Sequence, residues 1–168
     1  DLFPAHLAAL PPADAALARA ICFGVLRGRR LLDHNLDAHA PRGIKDLRMR
    51  MLLRVAACQL LLLDGIPPFA AVDTAVELAK GAFGRHAAGF ANAVLKAVAR
   101  AELRLPEGNT FKAMAVRHSH PDWMVRRLGA ELGAQAVEPV LRRNNEEAPL
   151  WIRANPRRAL GRQRFHKR

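Results

Sequence analysis

The sequence predicts an all-α fold: an antiparallel helical bundle followed by a short helical linker unit and one or two strands of a truncated α/β subdomain. Two observations favour this fold. Apolar residues recur at helical intervals over most of the chain, and only one segment near the C-terminus alternates as a strand does. We therefore expect a helical domain over residues 1–105 and a second unit, made of linker helices and the start of a further subdomain, over residues 106–168.

The first part of the chain predicts two helices in succession. An apolar residue recurs at every fourth position over residues 14–27, which predicts a helix with Asp14 as its N-cap. Gly28 interrupts this pattern. We expect a second helix to follow the glycine and to end near Ala40, where a proline and a glycine mark a loop.

The most apolar helix is predicted over residues 45–63, where Gln59 is the one polar residue of the second half. We expect this helix to be the buried centre of the bundle, with Leu60 in its core. Pro67 and Pro68 then forbid a continuing helix and predict a sharp turn.

Two further helices are predicted after this turn, one ending at Gly84 and one over residues 85–103. The second helix places polar and basic residues on a single stripe at four-residue steps. Such a stripe could contact phosphates, or it could be an ordinary solvated helix face. Its members are Asn92, Lys96, Arg100 and Arg104.

The C-terminal unit predicts a change from helix to strand. A short helix is expected over residues 111–117, and Ser119 and Asp122 stand at capping-box spacing before a helix over residues 120–132. After one more helix, residues 150–155 alternate between apolar and polar positions, which predicts the first strand of an α/β subdomain.

The chain is strongly basic, with 27 Lys and Arg against 15 Asp and Glu and a formal net charge of +12. This balance favours a polyanionic partner, most often nucleic acid, although a merely soluble basic protein is the alternative. Aromatic residues are few, so we expect contacts to phosphates and shape rather than stacking of bases. A second candidate face is formed by Arg19, Arg27, Arg30 and His34.

Other kinds of site are disfavoured. Cys22 and Cys58 lie inside apolar helical stretches without a CxxC partner, so we expect core residues rather than a disulfide, a zinc site or a nucleophile. His118 and His120 lack a third metal ligand nearby, which favours a solvated loop or cap. The apolar run over residues 55–63 is too short to span a membrane, and the cytoplasm is the expected location.

Three stretches together resemble the NusB-like domain that opens the RsmB/Sun family of bacterial rRNA cytosine methyltransferases: Ala20–Arg29 (AICFGVLRGR), Leu52–Val76 (LLRVAACQLLLLDGIPPFAAVDTAV) and Gly89–Lys96 (GFANAVLK). Two later stretches, His118–Leu128 and Asn144–Asn155, resemble the junction that leads into the methyltransferase half of that family.

The resemblance implies an RNA-binding N-terminal portion of an S-adenosylmethionine-dependent 16S rRNA (cytosine-5) methyltransferase. This portion would position rRNA for a catalytic domain that we expect to be absent from the chain. Since the sequence has no GxG turn, we expect no cofactor in this fragment, and S-adenosylmethionine is implied for the full-length parent. Neither Cys22 nor Cys58 has the Pro-Cys setting of the family's catalytic cysteines.

The implied partner is ribosomal RNA, and contact with a ribosomal protein is left open. One alternative is a free NusB-type antitermination factor, against which residues 119–168 argue. Another is a structural helical protein whose charge is incidental. The residues that we expect to contact RNA are Arg19, Arg27, Arg30, Lys96, Arg100 and Arg104.

Overall fold

The computed structural model describes residues 6–146, and the regular elements within that range are helices. They are α1 (Pro12–Ala38), α2 (Leu47–Leu61), α3 (Pro68–Phe83), α4 (Arg85–Arg100), α5 (Phe111–Arg117), α6 (Asp122–Leu132) and α7 (Ala134–Asn145). The all-α prediction is confirmed for this part of the chain. The predicted strand over residues 150–155 lies outside the described residues.

Helix α1 is a single helix of 27 residues, so the predicted break at Gly28 is wrong. A Cβ added at Gly28 would lie 2.7 Å from Leu62 Cδ1, just beyond the end of α2. The absence of a side chain at Gly28 therefore lets Leu62 pack closely against α1. The glycine does not end the helix. Asp14 lies in the first turn and not at the N-cap, which is Pro11.

Helix α2 is the central helix of the bundle, as the sequence predicts, and it packs against α1, α3 and α4. It begins at Leu47 because the Asp46 carboxylate caps it, accepting hydrogen bonds from the backbone N–H groups of Arg48 and Met49 at 2.8 and 2.9 Å. Leu53 is fully buried, whereas Leu60 is only half-buried at the edge of the core.

Helices α3 and α4 form a hairpin around Gly84, whose φ of 87° suits glycine. Helix α3 turns Asp73, Glu77 and Lys80 outward and buries Val72. Helix α4 ends at Arg100 and not near residue 103. The main core lies between these four helices, and its side chains with an exposed fraction of 0% are Leu32, Leu36, Leu53, Ala56, Ala57, Cys58, Ala79, Ala91 and Leu95.

Helices α5, α6 and α7 enclose a smaller second core. Thr110 caps α5 by accepting a hydrogen bond from the backbone N–H of Ala113 at 3.1 Å. The predicted cap of α6 by Ser119 is wrong, because Pro121 is the N-cap and no side chain caps this helix. Ser119 Oγ instead accepts a hydrogen bond from the backbone N–H of Leu31, in the C-terminal half of α1, at 3.1 Å.

Residues 101–110 connect the two cores without a regular element. Helix α1 belongs to the first core and also contacts α5 of the second. The division of the chain at residues 105 and 106 remains a prediction. Within the described residues, no helix combines the length and the apolarity needed to cross a membrane.

Candidate nucleic-acid interface

A groove of about 480 Å³ runs between α3 and α4. One wall carries Phe69 and Asp73 of α3, and the other carries Asn92, Lys96 and Arg100 of α4. The α4 residues share this wall because they stand four positions apart on one helix face. The groove therefore brings together three of the four members of the predicted polar stripe.

The cations of this groove are available to a ligand. Lys96 and Arg100 are exposed, and neither forms an ion pair with a described residue. Phe69 is also exposed, at 77%, because it lies in the first turn of α3 directly after two prolines. The groove thus combines positive charge with an aromatic ring, a combination that the small number of aromatic residues in the sequence did not suggest.

Arg104, the fourth member of the predicted stripe, lies beyond the end of α4, so its placement on that helix is wrong. The buried side chain of Asn35 forms two hydrogen bonds with the backbone of Arg104. Arg104 N–H donates to Asn35 Oδ1 at 2.8 Å, and Asn35 Nδ2 donates to Arg104 O at 3.1 Å. The side chain of Arg104 is exposed. Burial of His39, aided by the charge of Arg104, lowers the pKa of that histidine.

The second predicted face lies on α1, and only some of its residues are available to a ligand. Arg19 and Arg27 are exposed, and the Arg27 guanidinium lies 5.8 Å from the centre of the Phe23 ring. Leu26, at 70% exposed, adds apolar surface beside them. His34, which the sequence grouped with these arginines, is half-buried.

Arg30 differs from Arg19 and Arg27 because it connects the two cores. Its Nη1 donates to the backbone carbonyl of His120 at 2.6 Å, and its Nη2 lies 2.9 Å from Asp122 Oδ1. Three-quarters of its side chain is covered, with 25% exposed. Because the guanidinium makes these two contacts, it holds the start of α6 against α1 and is not free to bind a phosphate.

Two arginines of α2 are likewise neutralised within the bundle. Arg54 forms two hydrogen bonds with the Asp33 carboxylate, at 2.6 and 2.8 Å. Arg50 reaches Asp33 at 3.2 Å and Asp37 at 3.0 Å. Burial lowers the pKa of Arg50, but the hydrogen bonds to Asp37 and Asp33 outweigh this effect and raise the pKa above its ordinary value. The sequence could not separate these structural cations from exposed ones, since their partners lie on another helix.

His118 is the C-cap of α5, so the cap setting predicted for this pair is confirmed for His118. The predicted solvation of His118 and His120 is wrong. His120 is 9% exposed, and its Nδ1 lies 2.7 Å from the backbone carbonyl of His118. His118 Nε2 lies 3.1 Å from Glu138 Oε1, which also accepts a hydrogen bond from Arg117. The hydrogen bonds from His118 and Arg117 lower the pKa of Glu138. Among residues 6–146, no group of three His, Cys, Asp or Glu side chains is arranged to hold a metal ion.

Cys58 is a core residue, as predicted. It is fully buried, and this burial raises its pKa to about 11, so the thiol stays protonated and unreactive at neutral pH. Cys22 is half-buried on α1. The fully buried thiol of Cys58 is therefore unsuited to nucleophilic chemistry.

These features define a class of protein: a basic module whose described residues form a helical bundle, with a long first helix that also contacts a second, smaller helical core. The chain belongs to the NusB family, whose model matches residues 4–100. A second family model, described as "Methyltr_RsmF/B-like, ferredoxin-like domain", matches residues 120–165. Together the two matches confirm the resemblance to the RsmB/Sun family.

Curated relatives agree with these matches. The chain is 36% identical to a ribosomal RNA small subunit methyltransferase B of Xylella fastidiosa over 146 residues, which are 86% of this chain and 32% of that protein. Its relative of the same name in Xanthomonas campestris is 36% identical over 87% of the chain and 32% of its own length. The Escherichia fergusonii relative of the same name is 33% identical over 84% of the chain and 33% of its own length. The chain therefore spans about a third of the length of these relatives. No solved structure matches it.

Proposed function

We propose that this chain is the RNA-binding N-terminal portion of an S-adenosylmethionine-dependent 16S rRNA (cytosine-5) methyltransferase, where it positions ribosomal RNA for a catalytic domain. The observation that carries the proposal is the groove between α3 and α4, in which Lys96 and Arg100 are exposed and unpaired with any described residue. The net charge of +12 and the relatives named above support it.

The cofactor of this proposed reaction does not fit the described residues. S-adenosylmethionine sites in α/β folds use a glycine turn after a strand, where backbone can approach the ligand. Here the glycines of α1 are covered, Gly24 by Cys58 and Gly28 by Leu62. The glycines with positive φ lie in turns between helices. We therefore propose that cofactor binding and methyl transfer belong to parts of the parent protein that this match does not span.

The match over residues 120–165 also supports a methyltransferase portion rather than a free antitermination factor. In the proposed arrangement, Arg19, Arg27, Lys96 and Arg100 contact phosphates directly. Arg30 serves mainly to join the two cores, since Asp122 and the His120 carbonyl already hold its guanidinium. Arg104 contributes its exposed charge from the loop after α4.

The proposal is tested by measuring binding of a fluorescent small-subunit rRNA fragment over a range of salt concentrations. Lys96→Ala and Arg100→Ala should each weaken binding, and each should flatten the plot of log affinity against log salt by about 0.7 to 0.9. Lys80→Ala is the matched control, because it removes one cation from α3 where Glu77 already pairs with it. Equal effects of Lys80→Ala and Lys96→Ala, or no RNA binding by the parent chain, would contradict the proposal.

A further inference from the structure

We infer that the groove between α3 and α4 holds an unpaired nucleobase, stacked on Phe69, of an RNA strand whose phosphates follow Lys96 and Arg100. This inference rests on the proposed function and specifies its ligand: single-stranded RNA, with one base inserted, rather than the outside of a duplex. It revises the expectation from composition that base stacking contributes little.

The first argument is the position of Phe69. Phe69 is 77% exposed, although Val72 and Ala75 of the same helix belong to the main core. Exposed phenyl surface is unfavourable in water, whereas covering it with a flat base removes apolar area from both partners. Stacking of a base on an aromatic side chain contributes about 1 to 3 kcal/mol. Phe69 therefore provides the kind of platform that single-stranded RNA uses.

The second argument is the distribution of charge between the two walls. The α4 wall carries the cations Lys96 and Arg100, and the α3 wall carries the Asp73 carboxylate beside Phe69. Asp73 repels phosphate, so the backbone of a bound strand should follow α4. The carboxylate accepts hydrogen bonds only, which favours a base with an exocyclic amino group on the α3 side. Asn92 can both donate to and accept from a base edge.

The third argument concerns size and shape. A groove of about 480 Å³ is within the usual range for sites that enclose a small flat ligand. In an RNA duplex the base faces are stacked on one another, and the deep major groove hides their edges. A base can therefore enter this groove only from an unpaired nucleotide in a loop, bulge or single strand.

The experiment compares three probes: a single-stranded RNA oligonucleotide, the same sequence as a duplex, and inorganic polyphosphate, which has charge but no bases. Phe69→Ala should lower affinity for the single strand by about 5- to 150-fold, the range that corresponds to the loss of one stacked base. It should leave the salt dependence unchanged, because no cation is removed. Affinity for the duplex and for polyphosphate should also stay the same.

Two further variants separate stacking from bulk apolar contact. Phe69→Trp keeps a ring and should retain affinity, and its fluorescence should be quenched by the single strand but not by polyphosphate. Phe69→Leu keeps an apolar side chain without a ring face and should behave like Phe69→Ala. Trp123→Ala is the control, since it removes another exposed aromatic, on α6, that does not line this groove.

Failure of the inference is distinguishable from failure of the proposed function. If the parent chain binds none of the RNA probes, both are wrong. If it binds RNA but Phe69→Ala changes single-strand and duplex affinity by the same factor, or no more than Trp123→Ala does, only the nucleobase site is wrong. If Phe69→Ala also weakens polyphosphate binding, the ring supports the cations and does not stack on a base, which likewise overturns the inference.

Discussion

Gly24 on α1 lies so close to Cys58 on α2 that a Cβ at position 24 would stand 2.6 Å from the cysteine Sγ. No real Cβ tolerates that distance, so either the Cys58 side chain or one of the two helices would have to shift. The same thiol lies 3.9 Å from the Ile21 carbonyl of α1, within reach of a weak hydrogen bond. The absence of a side chain at residue 24 thus sets how near α1 approaches the central helix.

Gly24→Ala should therefore destabilise the fold by about 1 to 3 kcal/mol, the usual effect of overpacking, despite the better helix propensity of alanine. Gly81→Ala on α3 is the matched control, since nothing lies within 4 Å of a Cβ there, and it should be neutral or stabilising by up to about 1 kcal/mol. Urea denaturation measures both. In the double variant with Cys58→Ala the losses should be less than additive. Strictly additive losses would contradict the contact.

Leu53→Ala should destabilise by about 2 to 5 kcal/mol, because this side chain has an exposed fraction of 0% at the centre of the main core. Leu60→Ala should have a smaller effect, since Leu60 is half-buried at the core edge. The sequence alone favoured Leu60 as a core position. Thermal and urea unfolding of the two variants decide the order, and a larger loss at Leu60 would disprove it.

Asn35→Ala should destabilise by about 1 to 3 kcal/mol, because Asn35 is only 2% exposed and its removal leaves the backbone N–H and carbonyl of Arg104 without their partner. It should also increase proteolytic cleavage within residues 101–110, since Asn35 holds the start of this connection. Gln135→Ala, which removes an exposed amide from α7, is the control. Cleavage of the Asn35 variant at the parent's rate would contradict this role.

Glu138→Gln should lower stability at neutral pH and lose its effect in acid. The hydrogen bonds from His118 and Arg117 lower the pKa of Glu138 below its ordinary value of about 4.5. A carboxylate with a lowered folded-state pKa stabilises the fold above that ordinary value, and the contribution disappears as pH falls through the lowered pKa. The difference in thermal midpoint between parent and variant should thus shrink below about pH 4.5. A difference independent of pH would refute the ion pair's contribution.

Helix positions follow largely from the sequence, because apolar periodicity, prolines and the Asp46 cap act locally. The errors arise where a distant residue decides. Gly28 does not break α1, since its lack of a side chain accommodates Leu62 of another segment. Likewise Arg104 is turned away from α4 by hydrogen bonds to Asn35, which precedes it by 69 residues.

The candidate site shows the same division. Lys96 and Arg100 share a face because helix geometry alone places them there, and the sequence predicts that correctly. Whether an arginine is available depends on partners that periodicity cannot reveal, as Arg30 and Asp122 illustrate. The sequence does contain a signal for Phe69. It is an aromatic residue in the first turn of a helix that begins at two prolines, before the first buried residues of that helix.

The contacts that Arg30 and Leu31 make with His120 and Ser119 span 90 and 88 residues of sequence. A ribosome adding about 5 to 20 residues per second therefore needs roughly five to twenty seconds between making α1 and making its partners in the second core. Helices α2, α3 and α4 are all synthesised within that interval. During translation α2, α3 and α4 are thus available to pack on α1 for several seconds before Ser119 and His120 exist to make the junction contacts.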